Sequence, residues 1–139
     1  MKKILAVFTF LFLFSISLVY ASQDILIPTA AYTTTQSSAD QVKSQENKAH
    51  FIINVTSVAG GGATITPVIE GKDYNGNYYT ILQGLAISTT GITILKVGPG
   101  IGQVANAASN DYLPDIYRIR FTVSGAGSFT YGVTINRGQ

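Results

Sequence analysis

The 139-residue chain contains no cysteine and no tryptophan, and holds one histidine. Without cysteine there is no disulfide framework and no thiolate to serve as nucleophile or metal ligand, so the hydrophobic core alone must hold the fold. With His50 as the only histidine, neither a cysteine–histidine nucleophilic pair nor a multi-histidine zinc site can be assembled within one chain. Charge is also scarce, at 12% of residues. Nine Lys/Arg stand against seven Asp/Glu, but Lys2 and Lys3 belong to the N-terminal segment, and nine less two leaves seven against seven. The folded part is therefore neutral, and its scattered cations do not form the basic stripe that nucleic-acid binding requires.

What is present is the composition of strands and turns: Ile, Val, Thr, Tyr and Gly dominate a chain that is 46% hydrophobic. This length holds one domain with a real core and leaves no room for a second. Met1–Ala21 opens with two lysines, continues as an apolar run and ends in ValTyrAla ahead of Ser22, the layout of a secretory signal. Cleavage after Ala21 is expected; the alternative is a retained hydrophobic anchor, a helix touching the membrane through residues 4–21. Either way the segment lies outside the fold.

Residues 22–48 read as a short N-terminal strand around Ile25–Pro28 and a polar connection, with 36–48 a loop. The free strand at 22–32 needs a partner, either at the edge of its own sandwich or, by swinging out, in a neighbouring subunit. His50–Val58 alternates with Phe51, Ile53 and Val55 inward, and GlyGlyGly at 60–62 turns it. Residues 64–71 bury Ile65 and Ile69, while Pro67 predicts an edge strand or a bulge. AsnGly at 75–76 predicts a type I′ hairpin returning through 78–83. A short strand, a turn at Gly91 and a second strand fill 85–98, and an irregular stretch follows.

The clearest pattern is Asp115–Arg137. Tyr117, Ile119, Phe121 and Val123 alternate with polar residues, and so do Phe129, Tyr131, Val133 and Ile135. SerGlyAlaGlySer at 124–128 between them predicts a β-hairpin with both apolar rows facing one core. The whole predicts an all-β fold, a single antiparallel β-sandwich of jelly-roll type with seven or eight short strands over 49–139.

Candidate chemistry is thin. Asp73, Asn75 and Asn77 share the spacing of the first three ligands of a calcium loop, but the glycine and the twelfth-position acid do not fit, which leaves a turn. Asp111 and Asp115 flank LeuPro, and Glu70 precedes a turn, positions suited to solvation and capping; no enzyme activity, cofactor or metal is expected. GlyProGly at 98–100 lacks a phosphate-loop continuation and reads as a turn. AsnValThr at 54–56 is a glycosylation sequon with Asn54 on the polar face. Tyr74, Tyr78, Tyr79 and Tyr112, in or beside loops, form a candidate binding surface, either for stacking sugars or for packing and protein contacts.

Three pieces in order, VIEGKDYNGNYYTIL at 68–82, KVGPG at 96–100 and NDYLPDIYRIRFTVSGAGSFTYGV at 110–133, together resemble the small β-sandwich virion proteins of tailed phages, of head, neck or decoration type. The similarity covers about residues 50–137, with Tyr78 or Tyr79 and Tyr117 standing where the aromatic is usually Trp. It implies a non-enzymatic structural protein that assembles through protein contacts, as a homo-oligomer or larger particle. The alternative is a secreted binding module that recognises a surface glycan or receptor.

Overall fold

The computed structural model describes residues 23–138, so the expected signal, anchor or helix at 1–21 lies outside it. The strands in chain order are β1 (Gln23–Tyr32), β2 (Gln36–Ser37), β3 (Gln41–Val42), β4 (Lys48–Ala59), β5 (Thr64–Lys72), β6 (Tyr78–Gln83), β7 (Gly91–Val97), β8 (Ala108–Ser109), β9 (Ile116–Ser124) and β10 (Ser128–Gly138). They form two packed sheets. Sheet A runs β1-β10-β4-β7-β8, and sheet B runs β2-β9-β5-β6 with β3 also on β9. There are ten strands where seven or eight were expected, because β2, β3 and β8 have two residues each, too few to show any periodicity. The β7–β8 pair is parallel, so the sandwich is not wholly antiparallel.

The expected hairpin at 115–137 is instead an arch. β9 and β10 do not pair; they belong to opposite sheets. Both apolar rows do face one core, and Tyr117, Ile119, Phe121, Phe129, Tyr131, Val133 and Ile135 are fully buried. They meet across the sandwich, with the Phe121 and Tyr131 rings 4.6 Å apart at their centroids. The glycine link crosses the ~10 Å between stacked sheets. This arrangement gives each strand two neighbours, β10 lying between β1 and β4, and β9 between β5 and the short β2 and β3.

GlyGlyGly at 60–62 makes a second arch, from β4 in sheet A to β5 in sheet B, and the two arches stack at one end of the sandwich. A Cβ on Gly60, whose φ is +96°, would lie 2.7 Å from the Ala126 carbonyl oxygen and 2.8 Å from Gly127 Cα. Only a glycine admits that approach.

Phe51, Ile53, Val55, Ile65 and Ile69 are buried as their alternation predicts. Pro67, however, sits in an interior strand. Its carbonyl accepts from the Gly84 N–H at 2.8 Å, so its missing donor points to the same side, into the gap between the end of β6 and the Ile65–Ile87 bridge. That single bridge replaces the strand expected before Gly91. β5 and β6 do form a hairpin, but Asn75 is not at positive φ and Gly76, at +88°, is. The loop is thus a type I turn followed by a left-handed glycine, closed by Asp73 N–H to Asn77 O at 2.9 Å and Gly76 N–H to Asp73 O at 3.1 Å.

Residues 36–48 are no loose loop. Ser38 is buried: its N–H donates to the Ile119 carbonyl at 2.9 Å and its Oγ accepts from the Ile119 N–H at 3.2 Å, while β2 and β3 line the edge of β9. β1 pairs within its own chain, opposite β10.

The two large core tyrosines differ in one respect that an experiment can read. Tyr117 Oη accepts from Arg137 Nε at 2.9 Å, whereas buried Tyr131 Oη has no partner among the described residues. Tyr117→Phe is therefore expected to lose about 1 kcal/mol and Tyr131→Phe to be neutral or stabilising, as measured by urea unfolding of the two variants side by side.

Candidate functional site

The outer faces of the two sheets differ in chemistry. On sheet B, the register sets Glu70 opposite Arg118. Glu70 is 6% exposed although it points away from the core, because two guanidiniums roof it: Arg118 Nε donates to Oε2 at 2.8 Å and Arg120 Nε to Oε1 at 2.7 Å. Arg120 continues to Thr122 Oγ1 at 2.7 Å, and the Arg118 guanidinium lies 3.4 Å from the centre of the Tyr78 ring. Tyr78 Oη and Lys72 Nζ each donate to Asp40 at 2.7 Å. The Lys72 hydrogen bond, then that from Tyr78, holds the Asp40 carboxyl below its ordinary range. Charges of both signs here satisfy one another.

Glu70→Gln removes the one anion shared by two neighbouring arginines. Because those arginines are partly solvated, the expected loss is about 1–3 kcal/mol, below that of a fully buried pair, and it should appear as a lower urea midpoint with unchanged slope. A second cluster closes the same end of the sandwich as the β5–β6 turn. Arg137 donates to Tyr117, to Asp24 and to Gln41 Oε1 (2.9 Å), and lies 3.4 Å from Glu46 Oε1, tying β1, β9, β10 and the 41–46 segment together.

The candidate tyrosines fall on different surfaces. Tyr74 is fully exposed at the β5–β6 tip, and Tyr112 is exposed in the loop before β9. Tyr78 and Tyr79, adjacent on β6, point to opposite faces: Tyr78 onto the Arg118 guanidinium, Tyr79 against Gly71 and Pro114. Asp73 accepts from the Asn77 backbone (2.7 Å) and side chain (3.1 Å), contacts that lower its pKa and occupy it as a turn cap. Asp111 caps the Tyr112 N–H at 2.8 Å, and Asp115 pairs with Lys43 at 3.1 Å. In the GlyProGly loop the Gly100 N–H donates to Asn110 Oδ1 at 2.8 Å. Among the described residues no three His, Asp or Glu come together in a metal-binding group.

The outer face of sheet A is the surface that sequence reading missed. Pairing sets Ile25 opposite Thr134, Thr134 opposite Ile52, and Ile52 opposite Ile94, a row crossing four strands. Gly132, Asn54 and Ile92 form the next row, and the two rows border a shallow groove of about 230 Å³. Ile25 and Ile92 are 72% and 67% exposed. On the other side of the isoleucine row stand His50, Lys96 and Asn136, then Lys48, and no carboxylate points from this face among its paired strands. The signal was in the sequence: Ile92 and Ile94 sit on the strand face opposite Leu95 and Val97, a second apolar side that a half-buried strand does not need.

His50, opposite Lys96, has its pKa lowered by burial and then by the Lys96 charge. The folded state therefore binds the His50 proton less readily than the unfolded chain does. Stability should fall as pH drops below the ordinary value of 6.5 and through the lowered one, and His50→Gln should flatten that part of a melting-temperature profile.

No family model, no curated protein and no solved structure matches this chain.

Proposed function

We propose that this chain is a non-enzymatic structural or interaction protein acting through protein–protein contacts made by the outer face of sheet A, secreted if the N-terminal signal is cleaved and part of a virion if the resemblance holds. The observation that carries the reading is the contrast between the two outer faces: charged groups on sheet B pair with one another, while sheet A presents a row of isoleucines to solvent. Contiguous exposed aliphatic surface of this kind marks an interaction site. The resemblance to small virion proteins of tailed phages supports the same reading, since those are building blocks of particles. A second reading, a secreted module that binds a surface glycan or receptor, is favoured by the exposure of Tyr74 and Tyr112.

Native mass measurement and copurification separate the two. Ordered oligomers or attachment to particles, lost in Ile92→Lys and kept in Tyr74→Ala, support the interaction protein. A monomer that binds polysaccharide on a glycan array, with binding lost in Tyr74→Ala or Tyr112→Ala, supports the module. Mass spectrometry of the native N-terminus tests export.

A further inference from the structure

Resting on the interaction reading above, we propose that the occupant of the sheet A face is a second copy of the same chain, packed face to face with its strands antiparallel and a two-fold axis running along the row Ile25–Thr134–Ile52–Ile94. Charge decides the orientation. The face has cations at one end only, Lys48 and Lys96, beside the neutral imidazole of His50, and its other end, where the glycine arches lie, is uncharged: residues 51–69, 74–95 and 121–136 contain no Asp, Glu, Lys, Arg or His. A copy stacked with its strands parallel would set lysine over lysine with no carboxylate between them. The antiparallel copy sets that cationic end over neutral hydroxyls and amides.

Register then fixes the contacts. The isoleucine row separates the row of His50, Asn136 and Lys96 from the row of Asn54, Gly132 and Ile92. Rotation about the isoleucine row stacks Ile52 on Ile52 of the second copy and Ile94 on Ile94. It also brings His50 over Asn54 of the second copy, a donor–acceptor pair, and lays the Lys96 alkyl stem across Ile92 of the second copy. Two twisted sheets packed in this way keep their strand directions within about 30° of each other.

The area is sufficient for a weak, specific dimer. Four strands at ~4.8 Å spacing and eight residue steps of ~3.4 Å outline roughly 500 Å² of face, or about 1,000 Å² for the pair before side-chain relief, at the threshold for a specific contact. The dimer should therefore exchange with monomer and depend on concentration.

The absence of native cysteine makes the test clean. In the protein as purified from its expressing cells, Ile52→Cys should cross-link to itself efficiently with a short bismaleimide, because position 52 lies on the axis. Lys96→Cys should remain uncross-linked, because the antiparallel arrangement separates its two copies. Sedimentation of the wild type should show the mass doubling with concentration, and Ile52→Lys should hold it at the monomer value while retaining the wild-type far-UV spectrum. Efficient cross-linking at Lys96→Cys overturns the antiparallel arrangement, and a wild type that stays monomeric at every concentration overturns the second copy as occupant. The broader interaction reading falls only if the monomer also fails to join any particle, or joins one equally well as Ile92→Lys.

Discussion

Gly60→Ala should destabilise the protein by about 2–5 kcal/mol, while Gly61→Ala, one residue along, should change stability by no more than about 0.5 kcal/mol. At Gly60 two costs combine. The backbone sits at φ +96°, where an L side chain is strained, and the new methyl would stand 2.7 Å and 2.8 Å from backbone atoms of the other arch. Backbone atoms cannot rotate aside as a side-chain tip can, so one arch must move and the strands it joins move with it. A methyl added at Gly61 would meet no heavy atom within 4 Å, and the backbone there is not at positive φ. Urea unfolding of the two variants measures the difference, and equal losses would mean that the arches do not touch.

Phe121→Ala should cost about 3–5 kcal/mol, a drop in melting temperature on the order of 10–20 °C. Phe121 is fully buried and packs its ring on Tyr131 from the opposite sheet, so its removal opens a void that bridges both layers. The neighbouring Thr122 is exposed, and Thr122→Ala should cost far less. A loss at Thr122 as large as that at Phe121 would place the register of β9 one residue out, since such a slip exchanges the two faces of a strand.

The alternation of Phe121 and Thr122 illustrates what the sequence made legible. A period of two assigns every residue of β9 and β10 to a face, and those assignments agree with burial, apart from Val123 near the arch, which is only partly buried, and Gly132, which is buried although it lies on the outer face. Periodicity is silent on which strand lies alongside. SerGlyAlaGlySer is flexible enough to close a hairpin or to cross between sheets, and the choice depends on whether β9 finds a better neighbour than β10, a question settled by β5, far earlier in the chain. The polar 36–48 segment misled for a related reason: β2 and β3 are held by backbone hydrogen bonds and by Ser38, neither of which leaves an apolar signature.

Glu70 was hidden by its position just ahead of a turn. One clue was available, since Arg118 and Arg120 fall on the same face of one strand, where two like charges call for an anion between them. What the four tyrosines share in the sequence is closeness to loops, which says nothing about direction, and Tyr78 and Tyr79, adjacent on one strand, point apart.

The two arches also constrain how the chain reaches this state. Of the longer strands in sequence order, only β5 and β6 are joined as a hairpin; β4 and β5, and β9 and β10, part into different sheets. Sheet A places β10, the last described strand, between β1 and β4, with Gln23 opposite Asn136. Pairings this distant must close large loops before any contact rewards them, so folding should be slow for a domain of this size. For a chain delivered N-terminus first, from a ribosome or through a membrane pore, β1 and β4 have no common neighbour until the final eleven-residue strand emerges. β1 therefore has no partner in sheet A until β10 is delivered, whereas β4–β7 and β5–β6 can pair earlier, so the N-terminal strand is the last of the longer strands to be fixed.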